Sequence, residues 1–328
     1  RHTRYPLVTG VQTCALPISF RSVVGTNIGI GSQGILMDGT EAQKSHYLPR
    51  IASGELLMSF ALTEPDAGSD AASIKTQGVR DGDDYFISGS KRYITNAPRA
   101  GAFTLMARTD GLGAAGISAF IVPAQSAGIT LGKPDKKMGQ RGTLTCDVYL
   151  DKVRVPASAI IGGVPGQGFK TAMKVLDRGR LHMAALACGM ARRILDESIV
   201  YARERRQFGQ RIGEFQLIQA MLADSQAELL AGWSLVRAAA ARYDVRLPGA
   251  RDPEISMQAS CAKMFTTEMV GRVADRGVQI HGGAGYINDY KVERFYRDVR
   301  LLRLYEGTTQ IQQLIIGRYL VDEYPSRR

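Results

Sequence analysis

Three textures succeed one another along the chain. Over residues 20–58 the apolar positions fall at helical spacing. Gly39-Thr40-Glu41-Ala42-Gln43-Lys44 supplies a cap and a helix start, and Tyr47, Leu48 and Ile51 form the apolar face. From Phe60 the period shortens. Residues 85–88, 92–95, 103–108, 117–122, 129–131, 146–150 and 153–155 are short strand-like runs, mostly parted by Gly, Asp or Pro turns. Short strands without intervening helices predict an all-β domain, a barrel or a sandwich. Gly162, Gly163, Pro165, Gly166 and Gly168 mark a linker, and helical spacing then runs almost to the end. Met173, Leu176, Met183, Ala187, Met190, Ile194 and Ile199 make one long stripe. A second helix is predicted over 214–243, and a third opens at Asp252-Pro253, a cap followed by proline in the first turn. Segments 292–304 and 308–321 are shorter. Long helices with short connections predict a bundle.

Residues 1–19 show neither period. Their apolar centre is too short and wrongly flanked for a signal peptide, and the chain lacks an initiator methionine. This stretch is expected to be linker-like sequence joined to an interrupted reading frame, outside the fold. The 328 residues suffice for two or three domains. No apolar run reaches the roughly eighteen residues that would span a bilayer. Lys and Arg outnumber Asp and Glu by 42 to 31, a formal charge of +11 that suits an anionic partner. The basic residues are scattered instead of interleaved with aromatics, which makes nucleic acid a weaker choice than anionic lipid or a phosphate-rich cofactor. Cys14, Cys146, Cys188 and Cys261 are widely spaced and form no CxxC pair, so no disulfide framework or metal site is expected.

Gly29-Ile30-Gly31-Ser32-Gln33-Gly34 satisfies GxGxxG, with Glu55 beyond it. A dinucleotide site needs a buried strand before this pattern and an amphipathic helix after it. Phe20–Val24 is too short and polar for that strand, and Asp38-Gly39 breaks the helix. The more informative stretch is Tyr305-Glu306-Gly307-Thr308-Thr309-Gln310. Thr308 is placed to cap a final helix, and Gly307 permits a sharp bend. A carboxylate at that break, walled by Leu301, Leu302, Leu304 and Tyr305, can be desolvated and raised in pKa, as a general base requires. A surface glutamate ahead of a helix has the same local sequence.

Further motifs bear on that choice. Phe60-Ala61-Leu62-Thr63-Glu64-Pro65-Asp66-Ala67-Gly68-Ser69-Asp70 opens the β domain, followed by Lys91-Arg92-Tyr93-Ile94-Thr95-Asn96-Ala97. Then come Leu176-Asp177-Arg178-Gly179-Arg180, Arg205-Arg206-Gln207-Phe208-Gly209, Gln279-Ile280-His281-Gly282-Gly283-Ala284-Gly285-Tyr286 and the closing Tyr-Glu-Gly-Thr. In this order the six resemble the acyl-CoA dehydrogenase family of flavoenzymes, from about residue 22 to the end. The fold class implied is α+β and acyl-CoA dehydrogenase-like. It comprises a remnant of the N-terminal helical domain over 20–58, a central β-barrel domain over 59–165 and a C-terminal helical bundle over 166–328.

The resemblance implies FAD as cofactor and α,β-dehydrogenation of an acyl-CoA thioester to the trans-2-enoyl-CoA. Glu306 matches the family base. A subgroup carries its base just before the arginine of the long helix, and Gly179 stands there. Asp177, Arg180, Ser69 and Gly307 match acyl-CoA contacts. Phe60, Leu62, Thr63, Gly68 and Ser69 match the loop at the flavin edge, and Tyr93, Ile94 and Thr95 the segment on the ring. The family often has tryptophan where Tyr93 stands. Arg205, Phe208, Gln216 and the Gln279–Gly283 turn (Gln279, Ile280, His281, Gly282, Gly283) match positions that hold the adenine and pyrophosphate half across a subunit interface. Thr308 and Gln310 also match flavin contacts. The His281 ring reads as a packed turn histidine and is assigned no chemistry. The implied partners are acyl-CoA, an electron-transfer flavoprotein and further copies in a homotetramer or homodimer, with no nucleic acid and no membrane span. The implied place is a bacterial-type cytoplasm, with the mitochondrial matrix as the other setting. An acyl-CoA oxidase with the same residues, and a catalytically impaired FAD- and acyl-CoA-binding fragment, are the alternatives.

Overall fold

A computed structural model describes residues 18–245 and 252–324; Cys14 and residues 1–17 of the tail lie outside these, while its last two residues, Ile18 and Ser19, open the first helix instead of lying outside the fold. The chain divides into two compact units, one of residues 19–137 and 141–176, the other including 138–140 and 177–324.

The first unit opens with helices α1 (Ile18–Ile28), α2 (Gln33–Asp38) and α3 (Glu41–Ser53). The predicted start of α3 is a capping box. Thr40 Oγ1 accepts from the Gln43 N–H at 3.2 Å and the Gln43 side chain accepts from the Thr40 N–H at 3.0 Å. Gln43 Nε2 also donates to the Ser158 and Ile160 carbonyls, which fastens the helix to the end of the sheet. The GxGxxG stretch joins two helices, so the element directly before it is α1 and not a strand. A Cβ on Gly31 would lie 2.8 Å from the Thr26 carbonyl oxygen, so this glycine serves close packing.

Seven strands follow: β1 (Met58–Ala61), β2 (Gln77–Asp81), β3 (Asp84–Thr95), β4 (Ala102–Arg108), β5 (Ile117–Pro123), β6 (Ile129–Leu131) and β7 (Thr145–Pro156). They pair in the order β1-β4-β2-β3-β7-β6, with β5 also on β4. β4 is buried on both faces. Phe103, Leu105 and Ala107 join Phe120, Val122, Ile87, Val148 and Val153 on one side; Ala102 and Met106 join Ile35, Ile51 and Ile117 on the other. A strand covered on both faces reads as a continuous apolar run, as 103–108 does.

Two pairs of predicted runs prove to be single strands. The 85–88 and 92–95 runs merge in β3, and 146–150 and 153–155 merge in β7, because bulges carry the pairing through Gly89 and Lys152. A Cβ on Gly89 would lie 2.6 Å from Thr76 Oγ1, so this glycine marks a close approach instead of a turn. β1 and β2 were not anticipated: β1 has four residues, and β2 buries only Gly78.

In the second unit α4 (Gly168–Glu204, of which residues from Asp177 on belong here), α5 (Gln216–Asp244), α6 (Pro253–His281), α7 (Lys291–Val299) and α8 (Thr309–Arg318) form the predicted bundle. Asp252 caps α6 by accepting from the Ile255 N–H at 3.3 Å. Leu181, Leu186, Ile194, Leu229, Val236, Val270 and Leu302 lie in its core. Between α4 and α5 a small hairpin, β8 (Arg206–Gln207) and β9 (Gln210–Arg211), turns through Phe208 and Gly209 at φ 52° and 80°, values that suit a tight two-residue hairpin turn.

Candidate active site

After α7 a short 3₁₀ turn, Arg300–Arg303, leads to the Tyr-Glu-Gly-Thr stretch. Glu306 and Gly307 both take left-handed backbone, φ 54° and 88°. For a non-glycine residue such a conformation costs about 1–3 kcal/mol and persists only where the surroundings over-determine it. They do so here. Thr308 caps α8, accepting from the Ile311 N–H at 3.3 Å, as the sequence predicts. Gln312 Nε2 donates to the Glu306 and Gly307 carbonyls at 3.3 and 3.0 Å, and Lys263 Nζ donates to the Gly307 carbonyl at 2.7 Å. A Cβ on Gly307 would meet Gln312 Nε2 at 2.5 Å, so both φ and space require glycine.

The Glu306 carboxylate lies against α4 at Gly179. A Cβ built on Gly179 would be 2.0 Å from Glu306 Oε2. The absence of a side chain at 179 therefore makes the room that the carboxylate fills. Next along α4, Arg180 is buried and ion-paired through Nη1 with Asp177, which also accepts from Ser256 Oγ at 2.8 Å. Burial lowers the Arg180 pKa, while the charges of Asp177 and Glu306 raise it. Asp177 is thus engaged with Arg180 inside the bundle. Lys263, on α6, is fully buried. Burial pushes its pKa down to about 8, with Glu306 pulling upward, Arg180 downward and Glu268 upward. Glu268 accepts from Arg303 Nη1 at 3.0 Å and Thr309 Oγ1 at 2.7 Å, binding the turn to α6 a second time. Lys263 escaped the sequence reading. Its signal was a lone lysine in phase with the buried positions Ala259, Ala262, Thr266 and Val270.

The alignment of Gly179 with Glu306 has a direct consequence. In Gly179→Ala the obstructed atom is the end of a flexible side chain, so the fold should tolerate the methyl while the carboxylate is displaced. The expected result is little change in melting temperature and a fall of about 10²-fold in flavin reduction by acyl-CoA. Thermal unfolding and anaerobic stopped-flow absorbance on the same preparation check both halves.

In the first unit the Phe60–Asp70 loop and the end of β3 are joined. The Arg92 N–H donates to the Thr63 carbonyl at 2.8 Å. Lys91, fully buried, donates to Glu64 Oε1 at 2.7 Å and to the Leu62 carbonyl at 3.2 Å. Glu64 also accepts from the Lys75 and Thr76 N–H groups at 2.6 and 3.0 Å. The pairing with β7 skips from Lys91 to Ile94, and Tyr93 takes φ 59°. Lys91 and Ile94 both point inward, and the bulge swings Tyr93 out, its ring 60% exposed with the Arg92 guanidinium 5.0 Å from its centroid. Thr95 follows, half-buried, and Ser59 Oγ donates to its carbonyl. Gly68 and Ser69 are exposed, and a Cβ on Gly68 would meet nothing. Phe60 is half-buried, and Leu62 is in the core.

The remaining predicted residues gather in the second unit around a small cluster of Ala202, Ile212 and Ile280. Arg205, Gln216, Gln279, Gly282 and Gly283 are exposed there, and Phe208 is 94% exposed at the hairpin tip. Open space lies beside Gly209, Gly282 and Gly283. The His281 ring turns inward: Nδ1 lies 2.7 Å from the Gly277 carbonyl and the ring stacks on Tyr201 at 4.2 Å, with burial lowering its pKa. It is a packing histidine. Gln310 is exposed on α8. A polar cavity of about 440 Å³ lies elsewhere, lined by Glu268, Arg272, Asp275, Arg276, Arg300 and Arg303 among others, and none of the predicted residues borders it.

The sequence matches the acyl-CoA dehydrogenase N-terminal domain over residues 11–55, the middle domain over 59–153 and the C-terminal domain over 166–321. The chain belongs to the acyl-CoA dehydrogenase family. It is 44% identical over 288 residues to the caffeyl-CoA reductase–Etf complex subunit CarC of Acetobacterium woodii, covering 88% of this chain and 74% of that protein. The structure of butyryl-CoA dehydrogenase from Megasphaera elsdenii superposes with a TM-score of 0.90 at 34% identity, over 96% of this chain and 81% of the other. The acyl-CoA dehydrogenase from Bacillus anthracis complexed with FAD superposes at 0.89 and 35% identity, over 95% and 55%. This acyl-CoA dehydrogenase family member is a flavin-dependent oxidoreductase of acyl-CoA, with FAD as its cofactor. The aromatic swung out at Tyr93, the exposed Phe208 and the open glycines fit such a group. Among the described residues no helix is long and apolar enough to cross a membrane.

Proposed function

We propose that the chain catalyses α,β-dehydrogenation of an acyl-CoA thioester, with Glu306 as the base. The observation that carries this reading is the Glu306 carboxylate seated in the space left by Gly179, on a left-handed turn held from three sides. A base must be held at one position and kept from bulk water, and this turn does the first. Glu306 takes the α-proton on a carboxylate oxygen. The Glu306 N–H donates to the thioester oxygen, where negative charge develops as that proton leaves. Arg180 and Glu306 interact electrostatically, so the guanidinium places positive charge near the carboxylate. FAD, when bound, supplies the acceptor for the β-hydride. Tyr93, Ile94 and Thr95 would hold its ring, with the Phe60–Ser69 loop at the ring edge. Arg205, Phe208, Gln216 and the Gln279–Gly283 turn would hold the adenine half in a neighbouring subunit. Ser69, Asp177, Arg180 and Gly307 serve the acyl-CoA, and Thr308 and Gln310 the flavin.

The physiological acceptor in this reading is an electron-transfer flavoprotein. The naming of the Acetobacterium relative as a subunit of an Etf complex supports it. A panel of acyl-CoAs of graded chain length, mixed anaerobically with the FAD-loaded protein, should bleach the flavin. Reoxidation should then be fast with the flavoprotein and slow with oxygen; rapid turnover on oxygen alone would make the chain an oxidase.

The exposed Arg205 yields a separate expectation. Removing a charge-assisted contact to pyrophosphate costs about 1.5–3 kcal/mol, roughly a 10- to 100-fold loss of affinity. Arg205→Ala should therefore shed FAD on dilution, as read by flavin absorbance after gel filtration, with acyl-CoA affinity little changed. Full flavin occupancy at low protein concentration would remove Arg205 from the cofactor site.

A further inference from the structure

The buried face of α6 is apolar except at Ser260, Lys263, Thr266, Thr267 and His281, and Lys263 is fully buried. Lysine is almost never fully buried unless it is paired. Here its ammonium donates to the Gly307 carbonyl at 2.7 Å, the oxygen directly after the left-handed Glu306. Gln312 of α8 donates to the same oxygen at 3.0 Å, so the carbonyl is held from two elements. The charged groups around Lys263 are Glu306 from the turn, Arg180 from α4 and Glu268 from α6 itself. Of these, Glu268 is already engaged by Arg303 and Thr309, and Arg180 by Asp177.

We propose that Lys263 is a positioning residue for Glu306: its ammonium anchors the Gly307 carbonyl, holds the turn that seats the carboxylate against Gly179, and keeps a positive charge beside that carboxylate. A neutral side chain can also donate to the carbonyl, as Gln312 does. A buried cation adds an electrostatic effect that a neutral donor lacks, since an opposite charge nearby favours the ionised carboxylate by one to three pH units. The inference rests on Glu306 being the base for its catalytic meaning, while the coupling between the two side chains is measurable without turnover.

The measurement is an infrared titration of the full-length, FAD-loaded protein, with the Glu306→Gln spectrum subtracted so that the Glu306 carboxyl band stands alone. In Lys263→Met the midpoint of that band should rise by about one pH unit, a tenfold change in proton affinity. Lys263→Gln, which keeps a donor but no charge, should shift it similarly, and Lys263→Arg should restore it. The low-pH limb of flavin reduction by butyryl-CoA should move with it. A merely structural lysine would lower the melting temperature and leave the midpoint in place, and an unmoved midpoint in the Met and Gln variants overturns the proposal. The unsubstituted protein provides a test that needs no lysine variant. Its Glu306 band should show a second, smaller displacement near pH 8, where Lys263 loses its proton, and absence of that step also overturns the proposal. If Glu306→Gln keeps its flavin reduction, the reading of Glu306 as base fails, while the infrared coupling still decides the role of Lys263 toward that carboxylate.

Discussion

Glu306→Gln should bind acyl-CoA with nearly unchanged affinity and reduce FAD between about 10² and 10⁴ times more slowly, the range that a positioned base contributes. Glutamine preserves the length and much of the hydrogen bonding of the side chain but accepts no proton at working pH. The left-handed turn should survive, because the contacts of Gln312 and Lys263 to the Glu306 and Gly307 carbonyls do not involve the carboxylate. Single-turnover bleaching of the flavin, followed anaerobically at saturating acyl-CoA, measures the step. Bleaching at the unsubstituted rate would move the base elsewhere, and position 179, a glycine, could not supply it.

The largest expected effect on stability belongs to the first unit. Lys91→Met leaves Glu64 buried beside an apolar side chain, and breaking a buried ion pair from one side costs about 3–5 kcal/mol. For a protein region of this size that corresponds to a drop of roughly 10 °C in melting temperature. The doubly substituted Glu64→Gln, Lys91→Met protein should recover part of the loss, since no unpaired charge remains. The recovery will be incomplete because Glu64 also accepts from the Lys75 and Thr76 N–H groups. The pair should also shape the acid limb of stability. Burial raises the Glu64 pKa, but the Lys91 ammonium and the hydrogen bonds outweigh it, so the folded value lies below 4.5. A carboxylate depressed on folding contributes stability that is present above the unfolded value and lost as pH falls through the folded one. Thermal melts from pH 7 downward should lose that contribution below about 4.5 in the unsubstituted protein. Equal melting temperatures for Lys91→Met and the unsubstituted protein at pH 7 would show the ion pair to be energetically idle.

This buried pair also shows how the loop and strand work together. The Phe60–Asp70 loop and the Lys91–Ala97 strand are separate motifs in the sequence. The Lys91 ammonium and the Arg92 N–H bind them through Glu64 and the Leu62 and Thr63 carbonyls. Displacing the loop would therefore carry consequences for both proposed flavin contacts at once.

Much of the architecture follows from local pattern. Helix starts at Thr40, Asp252 and Thr308 were readable because a short polar side chain satisfies amides two or three residues on, an interaction contained within one turn. The bundle and the β domain were readable because their periods differ, and the proposed site residues rest on their resemblance to a family's motifs. What pattern could not supply were effects set by neighbours far along the chain. Gly89 and Lys152 look like turn residues, yet each sits in a bulge that only the partner strand defines. Tyr93 alternates as though it shared Lys91's inward face, and the bulge reverses it. Lys263 falls in phase with the buried positions of its helix, but its charge acquires meaning only from Gly307, forty-four positions away. Gly179 carries no chemistry of its own, but the missing Cβ is where the Glu306 carboxylate fits. Local sequence determines which backbone a segment prefers, because capping, turns and periodicity act over a few residues. Which buried charges face each other, and where a carboxylate finds room, depends on packing between segments distant in sequence, and that arises only when the chain is folded.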